Sequence, residues 1–384
     1  GGFIIMTKLK GITWNHSRGF TSVVATAQRF CEINPGVEIE WEKRSLQEFA
    51  DAPIQHLADQ YDLLIIDHPW AGFAQKSGIL ADLSLHLSAD FLADQESNSV
   101  GLSHLSYNFD GFQSALAVDA ATPIAVYNQQ FFCNQAIPKN WQDVLELARK
   151  DKVAIAGIPI NLLMDFYMFG ATINASMFKN RTVIDEESGV IALEAIREIV
   201  SLCRKDILEW DPIDVHNYMA ENNDIVYCPY AYGYTNYSKP GYGKHLLIAT
   251  DTVTFNNVPL KTVLGGTGLA VSSASENLEL ACKYAEYTAS PLIQETLFFD
   301  AGGQPGHRKA WLSSETNRRC ANFFKNTLKT LDNSYLRPRY NGYLHFQDNA
   351  GSLVQEYAVH GGNPKEVLGK LNVIYQESLN HAGS

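Results

Sequence analysis

The stretch that decides the fold lies near the start of the chain and reads Lys8-Leu9-Lys10-Gly11-Ile12-Thr13-Trp14-Asn15-His16-Ser17-Arg18-Gly19. Its first six residues are mostly apolar at alternate positions, which predicts a short strand. Gly19 lets the chain turn into a helix, whose apolar residues recur at helical spacing until Asn34-Pro35-Gly36 ends it. The stretch is therefore a strand that ends in ring-bearing and polar side chains just before a helix.

Residues 37–72 repeat this pattern. Apolar side chains alternate with glutamates over residues 37–41, which predicts a strand with one polar face. Ser45-Leu46-Gln47-Glu48 is typical of a helix start with a capping box. Leu63-Leu64-Ile65-Ile66 is entirely apolar, as expected of a strand buried on both faces, and it runs into Asp67-His68-Pro69-Trp70. The order β-α-β-α-β predicts an α/β sheet, in which groups just past the carboxyl ends of the strands line a ligand crevice.

Length and composition limit the possible classes of protein. A chain of 384 residues exceeds what one core usually supports, so we expect two domains. The net charge of -12, without a basic tract, argues against nucleic acid or an anionic membrane surface as partner. No apolar run approaches the roughly 20 residues of a membrane span. Six scattered cysteines without a C-x-x-C pair favour neither a disulfide framework nor a metal site.

The remainder of the chain continues to alternate between extended and helical segments. We find no internal repeat and no low-complexity linker, so we expect several short crossings between the domains. The predicted segments are extended structure over 114–127, a helix through Lys150 capped by Asn140, helices over 162–178 and 187–204, strands over 224–227, 246–249 and 261–271, and helices over 276–289 and 292–299.

Several of these segments carry motifs in a specific order: Ile12-Thr13-Trp14, residues 67–83, Tyr127-Asn128 followed by 137–141, residues 264–271, Ser290-Pro291 and Gly302-Gly303-Gln304-Pro305. Together they resemble the extracellular solute-binding proteins of ABC transporters, in the group that binds sugars and related small solutes. The resemblance implies an α/β, two-lobed, periplasmic-binding-protein-like clamp of type II, with discontinuous lobes, a ligand cleft and a hinge. It places residues 6–122 and 255–315 in the N-terminal lobe and residues 123–254 and 316–384 in the C-terminal lobe.

The resemblance also implies partners and a location. The expected partners are a small-molecule ligand, most often a carbohydrate or sugar acid, and the membrane subunits of an ABC transporter, with the receptor itself a monomer. The family works in the periplasm or outside the cell. Residues 1–6 are too short for a signal peptide, so a cytoplasmic solute-binding or sensor protein on the same fold stays an alternative.

A sugar offers C–H groups on its ring face and hydroxyls around its edge, so its site needs flat aromatic rings and fixed polar groups. The predicted aromatic contacts are Trp14, Trp70, Trp210, Tyr230 and Tyr232, with Tyr227 and Tyr234 as further candidates. The predicted polar contacts are Asn15, His16, Arg18, Asp67, His68, Asp119, Asn128 and Asp165, with Asp211 as a further candidate. The backbone of Gly266 and Thr267 completes the set, because glycines let a chain approach a ligand closely. For Trp41 and Trp141 we expect a core position.

The sequence favours binding over catalysis. It contains no H-E-x-x-H and no G-x-S-x-G motif, and Gly265-Gly266-Thr267-Gly268 lacks the lysine and the setting of a nucleotide site. We therefore expect no catalytic residue, metal or cofactor, with a glycoside hydrolase using two carboxylates as the less favoured alternative. Arg18 could bind an acidic ligand or pair with a carboxylate of its own lobe. We expect the second arrangement, with a neutral polyhydroxylated ligand.

Overall fold

The computed structural model describes residues 5–51 and 53–381. The chain forms two compact units: unit 1 comprises residues 1–120 and 265–318, and unit 2 comprises residues 121–264 and 319–384. Residues 255–264, which the sequence analysis places in the first lobe, are part of unit 2 here.

Strands and helices alternate along the described chain. The strands are β1 (Thr7–Trp14), β2 (Val37–Arg44), β3 (Leu63–Ile66), β4 (Asn108–Phe109), β5 (Phe112–Gln113), β6 (Leu116–Asp119), β7 (Pro123–Asn128), β8 (Met177–Lys179), β9 (Thr182–Ile184), β10 (Tyr227–Tyr232), β11 (Leu247–Thr250), β12 (Thr254–Phe255), β13 (Val258–Pro259) and β14 (Thr267–Val271). The helices are α1 (Thr21–Ile33), α2 (Leu46–Asp51), α3 (Ile54–Gln60), α4 (Ala71–Ser77), α5 (Ala89–Asn98), α6 (Ser103–Ser106), α7 (Trp141–Arg149), α8 (Pro159–Thr172), α9 (Glu186–Leu202), α10 (Pro212–Glu221), α11 (Leu278–Ala289), α12 (Pro291–Ile293), α13 (Arg308–Leu312), α14 (Ser314–Arg319), α15 (Phe323–Asp332), α16 (Tyr343–His360) and α17 (Pro364–Leu379).

Unit 1 is built on a five-stranded sheet in the order β2-β1-β3-β14-β6. β1 runs parallel to β2 and β3, whereas β14 runs antiparallel to β3 and β6. Every residue of β3 is buried, as its apolar sequence predicts, and Leu64 and Ile66 pack in a cluster with Ile12, Tyr107 and Ala270. The predicted order β-α-β-α-β at the start of the chain is confirmed.

One edge of this sheet gathers the polar strand ends. β1 ends at Trp14, β3 ends just before Asp67, and β6 ends at Asp119. β14 runs the opposite way and begins at Thr267, which is paired in register with Asp119. Four segments far apart in sequence therefore deliver candidate side chains to the same edge of unit 1.

Unit 2 is built on a three-stranded antiparallel sheet in the order β10-β7-β11. Helices α8, α9, α16 and α17 pack against one another. α8 is apolar on nearly all sides and is buried along most of its length, as expected of a helix enclosed by its neighbours. Asn140 caps α7 as predicted, and Asp143 completes a capping box with it.

Three predicted segments need correction. The helix expected over 162–178 ends at Thr172, because Asn174 takes a left-handed conformation and residues 177–184 form a hairpin. The strand expected over 224–227 runs instead over 227–232, since Asp224 lies in a turn where its carboxylate pairs with Arg204. The strand expected over 261–271 begins only at Thr267.

In the part of the chain that the structure describes, no helix is both long enough and apolar enough to cross a membrane.

Candidate ligand-binding site

The candidate site of unit 1 is organised by an ion pair between Arg18 and Asp119. Arg18 Nε donates to Asp119 Oδ1 at 2.8 Å, and Nη2 donates to Oδ2 at 2.7 Å. The two side chains are 5% and 2% exposed. This two-bonded geometry is the one in which a guanidinium matches a carboxylate best. The structure thus brings two predicted site residues together and balances the charge of one with the other.

The loop after β1 wraps around Trp14 and Arg18. Trp14 is buried, the Arg18 guanidinium carbon lies 5.3 Å from the centre of its ring, and a side chain on Gly19 would overlap the indole. His16 Nδ1 accepts a hydrogen bond from the Arg18 backbone N–H at 3.0 Å, while Asn15 is exposed. Trp14 is therefore a packed support for the loop, with little surface left for a ligand.

The loop after β3 holds three further predicted residues. Asp67 is half-buried at the start of a short helical turn, and His68 is fully buried with its ring edge against Tyr107, 6.1 Å between centres. Trp70 is half-buried and packs edge-on against Phe73, 5.6 Å between centres. Because part of its indole stays accessible, Trp70 is better placed than Trp14 to stack on a ligand.

Gly266 precedes β14 and Thr267 is the first residue of that strand, where it pairs in register with Asp119 of the ion pair. Gly266 has φ = 84°, a left-handed conformation that glycine adopts without strain. Thr267 is buried, and its Oγ1 has no hydrogen-bond partner among the described residues. The Thr267 hydroxyl of the unit 1 site is therefore available for a hydrogen bond with a ligand or with water.

The candidate site of unit 2 is a small cavity between α8 and β10. It measures about 10 Å³ and is lined by Asn161, Met164 and Asp165 of α8 and by Tyr230 and Tyr232 of β10, together with Pro123, Ala156 and Ala231. Asp165, Tyr230 and Asn161 are 6%, 2% and 9% exposed. Asp165 Oδ2, Tyr230 OH and Asn161 Oδ1 each lack a hydrogen-bond partner among the described residues. A cavity of this size holds roughly one water oxygen.

Burial controls the protonation of this cavity. It raises the pKa of the Asp165 carboxyl well above its ordinary value, because the charged form loses water. Burial likewise raises the pKa of Tyr230, with a smaller contribution from the nearby Asp165 and cysteine thiols. Burial therefore favours the neutral, hydrogen-bond-donating form of both groups.

The remaining predicted residues of unit 2 lie elsewhere or have local roles. Asn128 Oδ1 accepts from the backbone N–H groups of Gln130 and Phe131, and Asp211 caps α10. Trp210 packs on Tyr218, 4.8 Å between ring centres. The buried rings of Tyr227 and Tyr234 contact Phe132 and His216 respectively. Trp41 and Trp141 are buried, as expected.

Among the polar side chains that line the cavity, Asn161 is the one not predicted from the sequence. The sequence contains an indication of this residue. Asn161 and Asp165 are four residues apart, and residues 162–169 are apolar except for Asp165 and Tyr167. Residues at this spacing lie on the same face of a helix. Two polar side chains on one face of a buried helix indicate a polar site.

Unit 2 also has a larger surface groove of about 540 Å³ beside α7 and α9. Its polar walls include Glu194, Glu198 and Asn257, all of which are exposed to solvent. Among the described residues, no buried polar atom that lacks a partner belongs to a residue lining this groove. The small cavity therefore carries the stronger indication of a ligand.

A comparison with known families decides the identity of the chain. The sequence profile of the bacterial extracellular solute-binding protein matches residues 13–295, which include both candidate sites. The chain belongs to this family. The predicted family is therefore confirmed. Its members are binding proteins that work outside the cytoplasm. A search of curated proteins finds no matching sequence.

Solved structures of this solute-binding fold match nearly the full length of the chain. Maltose-bound MalE3 of T. maritima has a TM-score of 0.84 at 16% identity, covering 96% of this chain and 99% of that chain. A ribitol-bound ABC transporter solute-binding protein from Agrobacterium radiobacter gives 0.82 at 18%, covering 97% and 99%. The GacH receptor of Streptomyces glaucescens, also solved with acarbose, gives 0.81 at 15%, covering 98% and 100%. The expected α/β solute-binding fold is confirmed.

Proposed function

We propose that this protein is the substrate receptor of an ABC importer and that it captures a small neutral carbohydrate or polyol. The observation that carries the proposal is the pair of candidate sites, one in each unit, each with a buried polar group that has no hydrogen-bond partner among the described residues. The hydroxyl groups of a ligand can supply such missing hydrogen-bond partners. The similar structures were solved with maltose, ribitol and acarbose, which are all rich in hydroxyls.

The charges of the two sites favour a neutral ligand. Asp119 balances Arg18 within unit 1, so this guanidinium offers an anion less attraction than an unpaired one would. In unit 2, burial favours the uncharged form of Asp165. A sugar acid would find no lone cation in either set of residues described above.

We infer that the ligand is released unchanged. A glycoside hydrolase needs one carboxyl as an acid and another as a free carboxylate. Here both oxygens of Asp119 are engaged by Arg18, so this carboxylate is not free to act as a nucleophile. Incubation with maltose, followed by chromatography of the sugar, is expected to return maltose only, whereas released glucose would contradict the receptor function.

Thermal-shift measurements test the ligand class. We expect maltose, ribitol or tagatose to raise the melting temperature, because a ligand that binds only the native state stabilises it by mass action. Ribitol and ribonate form a matched pair that differs in one carboxylate, and we expect a smaller shift with ribonate. A larger shift with ribonate would overturn the neutral-ligand proposal, and no shift with any of the three sugars would count against this ligand class.

Location and transport can be tested in cells. We propose that the receptor works outside the cytoplasm and delivers its ligand to the membrane subunits of the importer, as the family does. Fractionation of the native host followed by immunoblotting is expected to find the protein in the periplasmic or membrane-associated fraction. Its recovery only with cytoplasmic markers would favour a cytoplasmic sensor on the same fold.

A further inference from the structure

The cavity between α8 and β10 has a set of hydrogen-bonding groups that can be matched to one chemical group. Asn161 Oδ1 can only accept, and Tyr230 OH can donate or accept. Asp165 Oδ2 accepts when the carboxyl is ionised and can donate when it is protonated. With the carboxyl protonated, the cavity offers two donors and one acceptor.

A hydroxyl group complements that arrangement. It has one hydrogen to donate, here to Asn161 Oδ1, and two lone pairs that accept from Tyr230 and Asp165. If Asp165 were ionised, two acceptors would compete for the single hydrogen and one of them would stay unsatisfied, which is costly in a buried site. An ammonium can only donate, so it would leave the hydrogens of the Tyr230 hydroxyl and of a protonated Asp165 without acceptors. A cavity of about 10 Å³ also admits little more than one oxygen atom.

We propose that Asp165, Tyr230 and Asn161 bind one ligand hydroxyl in this cavity, with the Asp165 carboxylic acid as a hydrogen-bond donor. This inference rests on the proposed receptor function and deepens it, because it assigns a proton to the site and a group to the ligand. The site selects neutral alcohols over amines, and it loses affinity at a pH high enough to deprotonate Asp165.

The surroundings of Asp165 support a neutral carboxyl. Asp165 contributes electrostatically to the pKa values of Tyr230 and Cys228 of β10, and burial is the main cause that raises the pKa of both groups. Desolvation alone accounts for the shift of Asp165, and no charged group of α8, α9 or α16 within the described residues contributes to it. A buried carboxyl without a cationic partner retains its proton well above its ordinary range.

The first test reads the proton directly in the ligand-free protein. In a sample labelled with ¹³C at aspartate carboxyl carbons, the Asp165 resonance is the one missing from Asp165→Asn. We expect it to keep the chemical shift of a protonated acid well above about pH 4, where the carboxyl of a free aspartate titrates. A midpoint for Asp165 below about pH 5 would overturn the proposal.

The second test uses calorimetry with whichever of maltose, ribitol and tagatose raises the melting temperature. Asp165→Asn keeps a neutral donor and is expected to bind within a few fold of the original protein. Asp165→Leu removes the donor at similar size and is expected to lose about tenfold or more in affinity, the scale of one lost buried hydrogen bond. Asp206→Asn, on the surface of unit 2, is the control.

The outcomes of the two tests are separable. Tight binding by Asp165→Leu, or loss of binding by a folded Asp165→Asn, would overturn the donor role while leaving the receptor function intact. If none of the three sugars binds, the receptor function as proposed fails, and the carboxyl resonance still decides whether Asp165 holds its proton.

Discussion

Arg18 and Asp119 illustrate how a charge predicted for ligand binding is used within the protein. Both side chains are almost fully buried, so each depends on the other to compensate for the lost hydration. The chain position of Arg18 beside His16 predicts a recognition residue, but the sequence does not show that Asp119, 101 residues away, reaches it. The fold creates that pairing, because the carboxyl ends of β1 and β6 lie at the same end of the sheet.

Removing one partner of this pair should therefore destabilise unit 1 strongly. We expect Asp119→Ala to lower the free energy of unfolding by about 3–5 kcal/mol, because it leaves the Arg18 guanidinium buried without a counter-charge. The double variant Arg18→Met/Asp119→Leu should lose less than Asp119→Ala alone. Urea unfolding measures both, and a loss below about 1 kcal/mol for Asp119→Ala would mean that the pair is solvated in solution.

The raised pKa of Asp165 predicts a dependence of stability on pH. Its folded pKa lies above its unfolded value, so the folded state holds the proton more tightly, and its contribution falls as pH rises from about 4 towards the folded pKa. Asp165→Asn cannot titrate. The melting temperature of Asp165→Asn minus that of the original protein is therefore expected to grow with pH and then level off. A difference that stays constant from acid to neutral pH would contradict the shift.

Trp70 is the aromatic residue that we expect to stack on a sugar ring. It is half-buried, so Trp70→Ala should remove roughly 1–3 kcal/mol of binding free energy, by analogy with other ring-stacking platforms, and keep a native melting curve. Trp141→Ala is the contrasting core substitution, expected to lower the melting temperature. Near-native ligand affinity of a folded Trp70→Ala in calorimetry would place the indole outside the site.

At the scale of elements, the sequence predicts most of what is local. Alternation and apolar runs identify β1, β2 and β3, and a capping residue locates the start of α7. What it misses has two causes. α8 ends early because the residues just after it, 177–184, pair as a hairpin, whereas β10 lies over the tyrosine run because it pairs with β7, which is distant in sequence. In the same way, Asp165 and Tyr230 are separately predictable, but their shared cavity is not.

Two helical glycines give a matched test of packing beside that cavity. A Cβ on Gly351 of α16 would overlap the Pro159 carbonyl oxygen at the start of α8, whereas a Cβ on Gly369 of α17 would meet nothing within 4 Å. We expect Gly369→Ala to stabilise the protein by about 0.5–1 kcal/mol through helix propensity. Gly351→Ala should destabilise it and weaken sugar binding, because α8 carries Asn161 and Asp165. Equal melting temperatures for the two variants would show that α8 shifts freely.

At the scale of the whole molecule, the chain passes between the two units at residues 120–121, 264–265 and 318–319. Three short passages are a suitable basis for hinge motion, since a few residues can absorb the change in backbone angles. We expect a ligand found by thermal shift, such as maltose or ribitol, to reduce the radius of gyration in small-angle scattering. The control is the same measurement with a sugar that does not bind. An unchanged radius of gyration at saturation with the ligand would contradict closure.

The position of β14 has a consequence for synthesis on the ribosome. β14 lies between β3 and β6, yet about 200 residues separate its start from the end of β3. While the intervening chain is being translated, β3 has no neighbour on one side, and its apolar sequence is of the kind that pairs with other chains. A nascent chain of this receptor is therefore open to aggregation until residue 271 has emerged, and a chaperone that covers the segment around Leu63–Ile66 would protect it for that interval.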